Sequence, residues 1–303
     1  MKKLTVIECP YCYAAWDVRI EDGKEIFRSS LRQYQNPRAV DLYHQSHVYE
    51  LAGLPVEIKN ISYPEGCALQ PCVELTRQFS DLVRESVQNG NPVFAAGGYC
   101  NYAPAIAGGI QRALGTDTRI GLVWIDAHSD NCIVEDSSSP TRLVGVPFSV
   151  MTGSTLEQYR KEICGLEIPL RGQNIIAGDI RFATEANASH LEKEQVVRLD
   201  ATAFQDKTIW EKAVSSLASR VDVIYLSVDA DILKAKYIPA YEKAVPYGHE
   251  LDTVIRNIRL VMETGKVCAY SLFCVDFDHF EQGGPITFLS GLELAAAGLR
   301  GWQ

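Results

Sequence analysis

The chain has 303 residues, 47% of them hydrophobic and 22% charged, which is the make-up of a globular protein with a sizeable core. A formal net charge of −9 argues against a nucleic-acid surface, and no basic stripe offers itself to anionic lipid. No apolar run approaches the roughly 20 residues of a membrane span. Met1-Lys2-Lys3 leads into only a few apolar residues before Glu8, and the nine scattered cysteines read as buried reduced thiols, so a cytoplasmic protein is expected.

Leu4 to Glu8 reads as a first strand ending in Cys9-Pro10-Tyr11-Cys12. A C-x-x-C after a strand is the pattern of thiol–disulfide oxidoreductases, whose first thiol sits at a helix N-terminus. No clean amphipathic helix follows here, and an incidental pair of loop cysteines is the competing reading. His44 and His47, within a helix or loop over 39–51, are best placed on a solvated face. Val56 to Ile61 makes a second strand. Leu69 to Gln88 carries helical periodicity through Val73, Leu75, Phe79, Leu82, Val83 and Val87, and Asn89-Gly90-Asn91-Pro92 stops it. Pro92 to Ala96 is a strand. Gly97-Gly98-Tyr99-Cys100-Asn101 then permits a tight turn into a small-residue helix, Ala103 to Leu114. That turn has neither the dinucleotide-binding spacing nor a phosphate-loop Lys.

Gly121 to Ile125 has the length and flanks of a buried parallel strand and runs into Asp126-Ala127-His128-Ser129-Asp130. If the segment stays extended, Asp126, His128 and Asp130 project to one side at the strand's C-terminal end, where open α/β sheets bind ligands. A strand end with a capping Asp and a solvated His is the bland alternative. Asn131 to Pro147 is polar and reads as an active-site loop. Further strands are expected at Asn174–Gly178, Gln195–Leu199, Val223–Val228 and Cys268–Val275, with helices at Thr208–Ser219, Leu251–Glu263 and Gly291–Leu299. The Val223 strand ends in Asp229-Ala230-Asp231, and the Cys268 strand in Asp276-Phe277-Asp278-His279. Strands and helices alternate throughout, predicting one doubly wound α/β/α domain over residues 1–303 with a mostly parallel sheet.

Two D-x-D-type motifs at strand ends supply Asp126, His128, Asp130, Asp229 and Asp231. Bridging carboxylates with one imidazole are what a pair of divalent cations needs, and a water between two such ions becomes a hydroxide nucleophile near neutral pH. That constellation already suggests a metallohydrolase.

Gly-Gly-Tyr-Cys-Asn, Trp-Ile-Asp-Ala-His-Ser-Asp and Ser-Val-Asp-Ala-Asp…Ile-Pro-Ala, in that order from Pro92 onward, resemble the ureohydrolase superfamily of arginases, agmatinases and formiminoglutamases. The resemblance implies a three-layer fold with an eight-stranded sheet, two Mn2+ per chain, hydrolysis of a guanidino-type small molecule, and a homo-oligomer, trimer or hexamer. It also implies that Asp126 and Asp229 bridge the ions, that Asp130 binds the first, and that His128 and Asp231 bind the second. Cys100 stands where the family has a His ligand, and its softer sulfur favours Zn, Fe or Co. One branch with that Cys is the hydroxyarginine amidinohydrolase of D-cycloserine biosynthesis, so an N-hydroxyguanidino substrate, releasing hydroxyurea instead of urea, is a further expectation. Val144 occupies the place of the arginase proton-shuttle His, with His249 the candidate replacement and His279 a weaker one. Asp276 matches the late carboxylate that grips the guanidinium, and Arg181 is placed to favour a substrate carboxylate. Loss of the shuttle His and of one ligand His keeps open a metal-depleted, non-catalytic binding protein.

Overall fold

The computed structural model describes residues 2–12, 16–29, 34–35, 37–62, 71–240, 245–275 and 282–303. Eight parallel strands form the central sheet: β1 (Leu4–Glu8), β2 (Val56–Asn60), β3 (Val93–Ala96), β4 (Ile120–Ile125), β5 (Ile175–Gly178), β6 (Val197–Leu199), β7 (Val223–Asp229) and β8 (Val267–Phe273). Their spatial order is β6-β5-β4-β7-β8-β3-β1-β2. The chain therefore leaves a gap between β3 and β4 that its last two strands fill. Every pairing in this sheet is parallel, a step beyond the mostly parallel sheet expected.

The inner strands are apolar on both faces because both are covered, whereas the edge strands β2 and β6 carry charged residues. Leu122 and Trp124 enter one core with the helices Pro71–Gln88 and Ala103–Leu114. Val123 and Ile125 enter the other, with Trp210, Val214 and Leu217 of Lys207–Arg220 and with the helices Leu251–Met262 and Gly284–Leu299. The last helix begins seven residues before the expected Gly291, because Pro285 is tolerated in a first turn.

Two features were not anticipated. Trp16–Glu21 and Lys24–Ser29 form an antiparallel hairpin that also pairs with Thr141–Arg142. Its turn is Asp22-Gly23, both at positive φ, as a two-residue hairpin turn requires. The Asn131–Pro147 segment is consequently held down by that pairing. The capped helix Glu185–Lys193 is the second. Tyr11–Cys12 is extended and pairs with Tyr34–Gln35, so the C-x-x-C does not open a helix as the redox reading needs.

The helix Ala103–Leu114 packs closely through small residues against the Cys164 backbone on one side and the helix Pro71–Gln88 on the other. A Cβ added at Gly108 would lie 1.9 Å from the Cys164 carbonyl oxygen, and one at Gly109 would lie 2.6 Å from Val83 Cβ. In a free helix Gly→Ala stabilises by roughly 1 kcal/mol. Here the sign should reverse: Gly108→Ala is expected to destabilise by about 1–3 kcal/mol in denaturant unfolding, because backbone has to move. A stabilised variant would contradict this packing.

Candidate metal centre

Because β4 and β7 are neighbours with Ile125 beside Val228, Asp126 and Asp229 emerge next to one another. The two motifs then fold alike. The Asp126 carboxylate accepts from the His128 N–H at 2.6 Å, and the Asp229 carboxylate accepts from the Asp231 N–H at 2.9 Å. Each is an Asx-type turn. The expectation of an extended Asp126–Asp130 is therefore corrected: the strand ends at Ile125, and a side-chain-to-backbone bond, not strand alternation, turns His128 inward.

The two turns interlock. Asp231 Oδ1 accepts from the Ala127 N–H at 3.2 Å, and Asp231 Oδ2 lies 2.8 Å from His128 Nδ1. Ligand atoms of Asp126, His128 and Asp231 all fall within 4.8 Å of one another, a spacing that can hold a metal ion. Asp126, Asp229 and Asp231 are buried, while His128 is half-exposed against the Phe182 ring. Asp130 is half-buried and adopts φ +44.

Electrostatics at this edge are dominated by carboxylates. Burial, followed by the charges of Asp231 and Asp130, pushes Asp126 well above the usual carboxylate range. Burial and then Asp231 and Asp126 do the same to Asp229, and burial lifts Asp130 to about 7. For His128 burial works downward, but its bonds to Asp126 and Asp231 prevail and raise it to about 11. Asp126 Oδ2 is buried with no partner. Asn101, the neighbour of Cys100, is likewise buried with both amide atoms unpartnered. Buried orphan acceptors beside mutually repelling carboxylates fit a divalent cation.

Cys100, at the start of the turn after β3, is buried with its Sγ 3.5 Å from the Val144 carbonyl oxygen. The loop that carries Val144 thus does reach the site. Sequence reasoning missed Cys274, which directly follows β8 and sits at φ +59. Its N–H donates to the Gly98 carbonyl at 3.0 Å. Asp130, Asp179 and Cys274 all hold left-handed backbone near strand ends of this one edge, where strain is found at functional sites.

Two readings change with the geometry. His249 is fully buried, with Nε2 2.6 Å from Asp179 Oδ2 and Nδ1 3.3 Å from Gln205 Nε2. Both ring nitrogens are engaged away from solvent, which leaves no free nitrogen for the proton-shuttle role expected of it. Arg181 commits its guanidinium to Asp179 at 2.5 Å, to the Pro246 carbonyl at 3.1 Å and to the Asp231 carbonyl at 3.3 Å. It braces the Asp231 turn instead of facing a substrate carboxylate. His44 and His47 are exposed, as expected. Asp276 and His279 lie outside the described residues.

Comparison with known proteins adds the family. A formimidoylglutamase of Psychrobacter cryohalolentis is 28% identical over 204 residues, 62% of this chain and 54% of that one. An arginase of Brucella melitensis is 27% identical over 189 residues, 59% of this chain and 57% of that one. The chain thus aligns with little more than half the length of these curated relatives. Among solved structures, the arginase of Entamoeba histolytica in complex with L-ornithine superposes with a TM-score of 0.80 at 19% identity, over 99% of this chain and 98% of that one. The formimidoylglutamase of Bacillus subtilis gives 0.72 at 16% identity, over 99% and 87%. These likenesses show the three-layer fold. The arginase family model matches residues 11–290, through both Asx turns and the Cys274 strand, and the chain belongs to that family.

Proposed function

We propose that this protein is a metal-dependent amidinohydrolase that cleaves a C–N bond of a guanidino-type small molecule. The observation that carries the reading is the convergence of Asp126, His128 and Asp231, with a buried, unpartnered Asp126 oxygen among them. In this reading Asp126, Asp229, Cys100, Asp130, His128 and Asp231 would hold two divalent cations, with Cys100 and Asp130 toward one and His128 and Asp231 toward the other. Cations there, Mn2+ in the first instance, would acidify water to a nucleophile at neutral pH. Asp130 would orient that water as it adds to the amidino carbon, and the proton the water gives up would leave with the departing amine. The products are urea, or hydroxyurea from a hydroxylated substrate, with the free amine. Asp276 remains the proposed partner of the guanidinium. Trimeric or hexameric assembly and a cytosolic setting belong to the same proposal; no helix among the described residues is long and apolar enough to cross a membrane.

Metal-loaded protein should release urea from a guanidino compound, hydroxyurea from an N-hydroxyguanidino compound or formamide from a formimino compound, for at least one member of a panel of the three. Chelation should abolish this release. Asp126→Asn should lower it by more than about 100-fold, since even outer partners of metal ligands are worth 10–100-fold. Tight metal binding with no hydrolysis of any panel member would favour the non-catalytic binding protein instead.

His249 now reads as a positioning residue beneath Asp179 and the Asp231 turn. His249→Gln is expected to weaken metal affinity while leaving the shape of the pH–rate profile unchanged. Loss of one limb of that profile would restore the shuttle.

The metal-free protein should also show the cost of Asp130. An unfolded Asp titrates near about 3.9, so between about pH 4 and about pH 7 the native state keeps a proton that the unfolded chain has released. Stability contributed by that proton is lost as pH rises through this window. Asp130→Asn should therefore gain stability relative to the parent as pH increases from about 4 to about 7 in metal-free melts. Parallel curves would contradict the assignment.

A further inference from the structure

Asp179 and Arg181, the charged pair on the loop after β5, are used up within the protein. Asp179 is buried, and its Oδ2 accepts from Arg181 Nη1 at 2.5 Å and lies 2.6 Å from His249 Nε2. The other guanidinium nitrogens of Arg181 donate to the carbonyls of Pro246 and Asp231. Neither charge is left to read a charged group on a ligand.

What that loop does offer is an aromatic ring. The Phe182 N–H donates to the Ala127 carbonyl at 3.1 Å, which pins Phe182 to the Asx turn that carries His128. The two ring centroids are 5.6 Å apart, with the planes tilted by 33°. Phe182 is 41% exposed and the His128 side chain equally so, whereas Asp126, Asp229 and Asp231 are buried. A ligand that reaches the open side of His128 therefore meets the Phe182 ring. The Arg181 guanidinium carbon stands 5.6 Å from the centroid of that ring. A ligand cation there would meet a like charge, and an anion would find Arg181 already paired with Asp179. A second exposed aromatic, Tyr247 at φ +64, follows Pro246, whose carbonyl Arg181 holds. An apolar group laid on such a surface gains by leaving water, while a charged group loses hydration and finds no partner.

We propose that Phe182 is a specificity-determining residue, an aromatic wall for the group carried on the substrate's amidino nitrogen. It selects a neutral, apolar substituent such as an alkyl chain over one that ends in an ammonium or a carboxylate. The inference rests on the proposed amidinohydrolase function and deepens it by naming the substrate class. Substrate and water would then give urea and a free alkylamine. One methylene lodged in an apolar pocket is worth roughly 10–200-fold in discrimination, and a half-open wall belongs at the low end of that range.

Three guanidines of matched length test this: n-butylguanidine, 4-aminobutylguanidine and 4-guanidinobutanoate. Urea release gives kcat/KM and calorimetry gives Kd, for Mn2+-loaded parent, Phe182→Leu and Phe182→Asn, with circular dichroism and metal content to verify each variant. The parent should favour n-butylguanidine by about tenfold or more in both readouts. Phe182→Leu, which keeps an apolar surface, should retain most of that preference. Phe182→Asn, similar to it in size but polar, should lose the preference, chiefly through KM. Equal or better use of either charged guanidine by the parent would overturn the inference and leave the proposed function standing. An unchanged preference in folded, metal-loaded Phe182→Asn would do the same. Calorimetric selectivity that is lost in Phe182→Asn, with no hydrolysis of any compound, would uphold the wall and overturn the hydrolase. Binding of none of the three would overturn the inference, with the wider panel still deciding the function.

Discussion

Like-charge crowding is the constraint on which the rest of this structure depends. Asp126 and Asp229 end adjacent central strands, and each is locked in an Asx turn that brings in a further ligand, His128 or Asp231. Carboxylates packed this closely and this deeply raise one another's pKa and oppose folding unless a cation offsets them. The surrounding architecture holds them there regardless. Two apolar cores grip the strands from both faces, Arg181 braces the Asp231 backbone, and the Asp179–His249 pair lies beneath it. Folding energy gained in the core offsets the repulsion of a site kept in one geometry.

Topology explains why the site is assembled from distant stretches of chain. The C-terminal strands β7 and β8 enter the gap between β3 and β4, so residues near 100, 126–130, 229–231 and 274 become neighbours only when the whole sheet has formed. Ligand binding at the carboxyl ends of such strands, where the order of connection reverses, is the general behaviour of open α/β sheets. The hairpin Trp16–Ser29 adds a third layer of control by pairing with Thr141–Arg142, which steadies the loop carrying Val144 against Cys100.

Much of this was legible in the sequence, for physical reasons that differ by element. Apolar runs flanked by turn residues marked the inner strands, since strands buried on both faces cannot hide their composition, while the edge strands β2 and β6 had weaker signals. The Asp126–Asp130 and Asp229–Asp231 motifs announced themselves because carboxylates at this density directly after a buried strand repel one another unless a cation joins them. The local geometry did not follow, because an Asx turn and an extended strand can carry the same letters. Cys274 was invisible for the opposite reason: within Leu272-Phe273-Cys274-Val275 it looks like one more core residue, and only the register of β8 against β3 and β7 brings it to the end of β7 and to the Gly98 carbonyl. His249 was misjudged because its burial depends on Gln205 and Asp179, far away in the chain. The hairpin could have been found from Asp22-Gly23 alone.

Above all, this edge of the sheet is proposed to hold two positive ions. Metal equivalents per chain, measured by elemental analysis on protein purified without added metal and again after separate loading with Mn2+ and Zn2+, test that claim most directly. Two equivalents are predicted after loading, falling to one in a Cys100→Ala variant. Protein that retains no metal under either loading would contradict the claim.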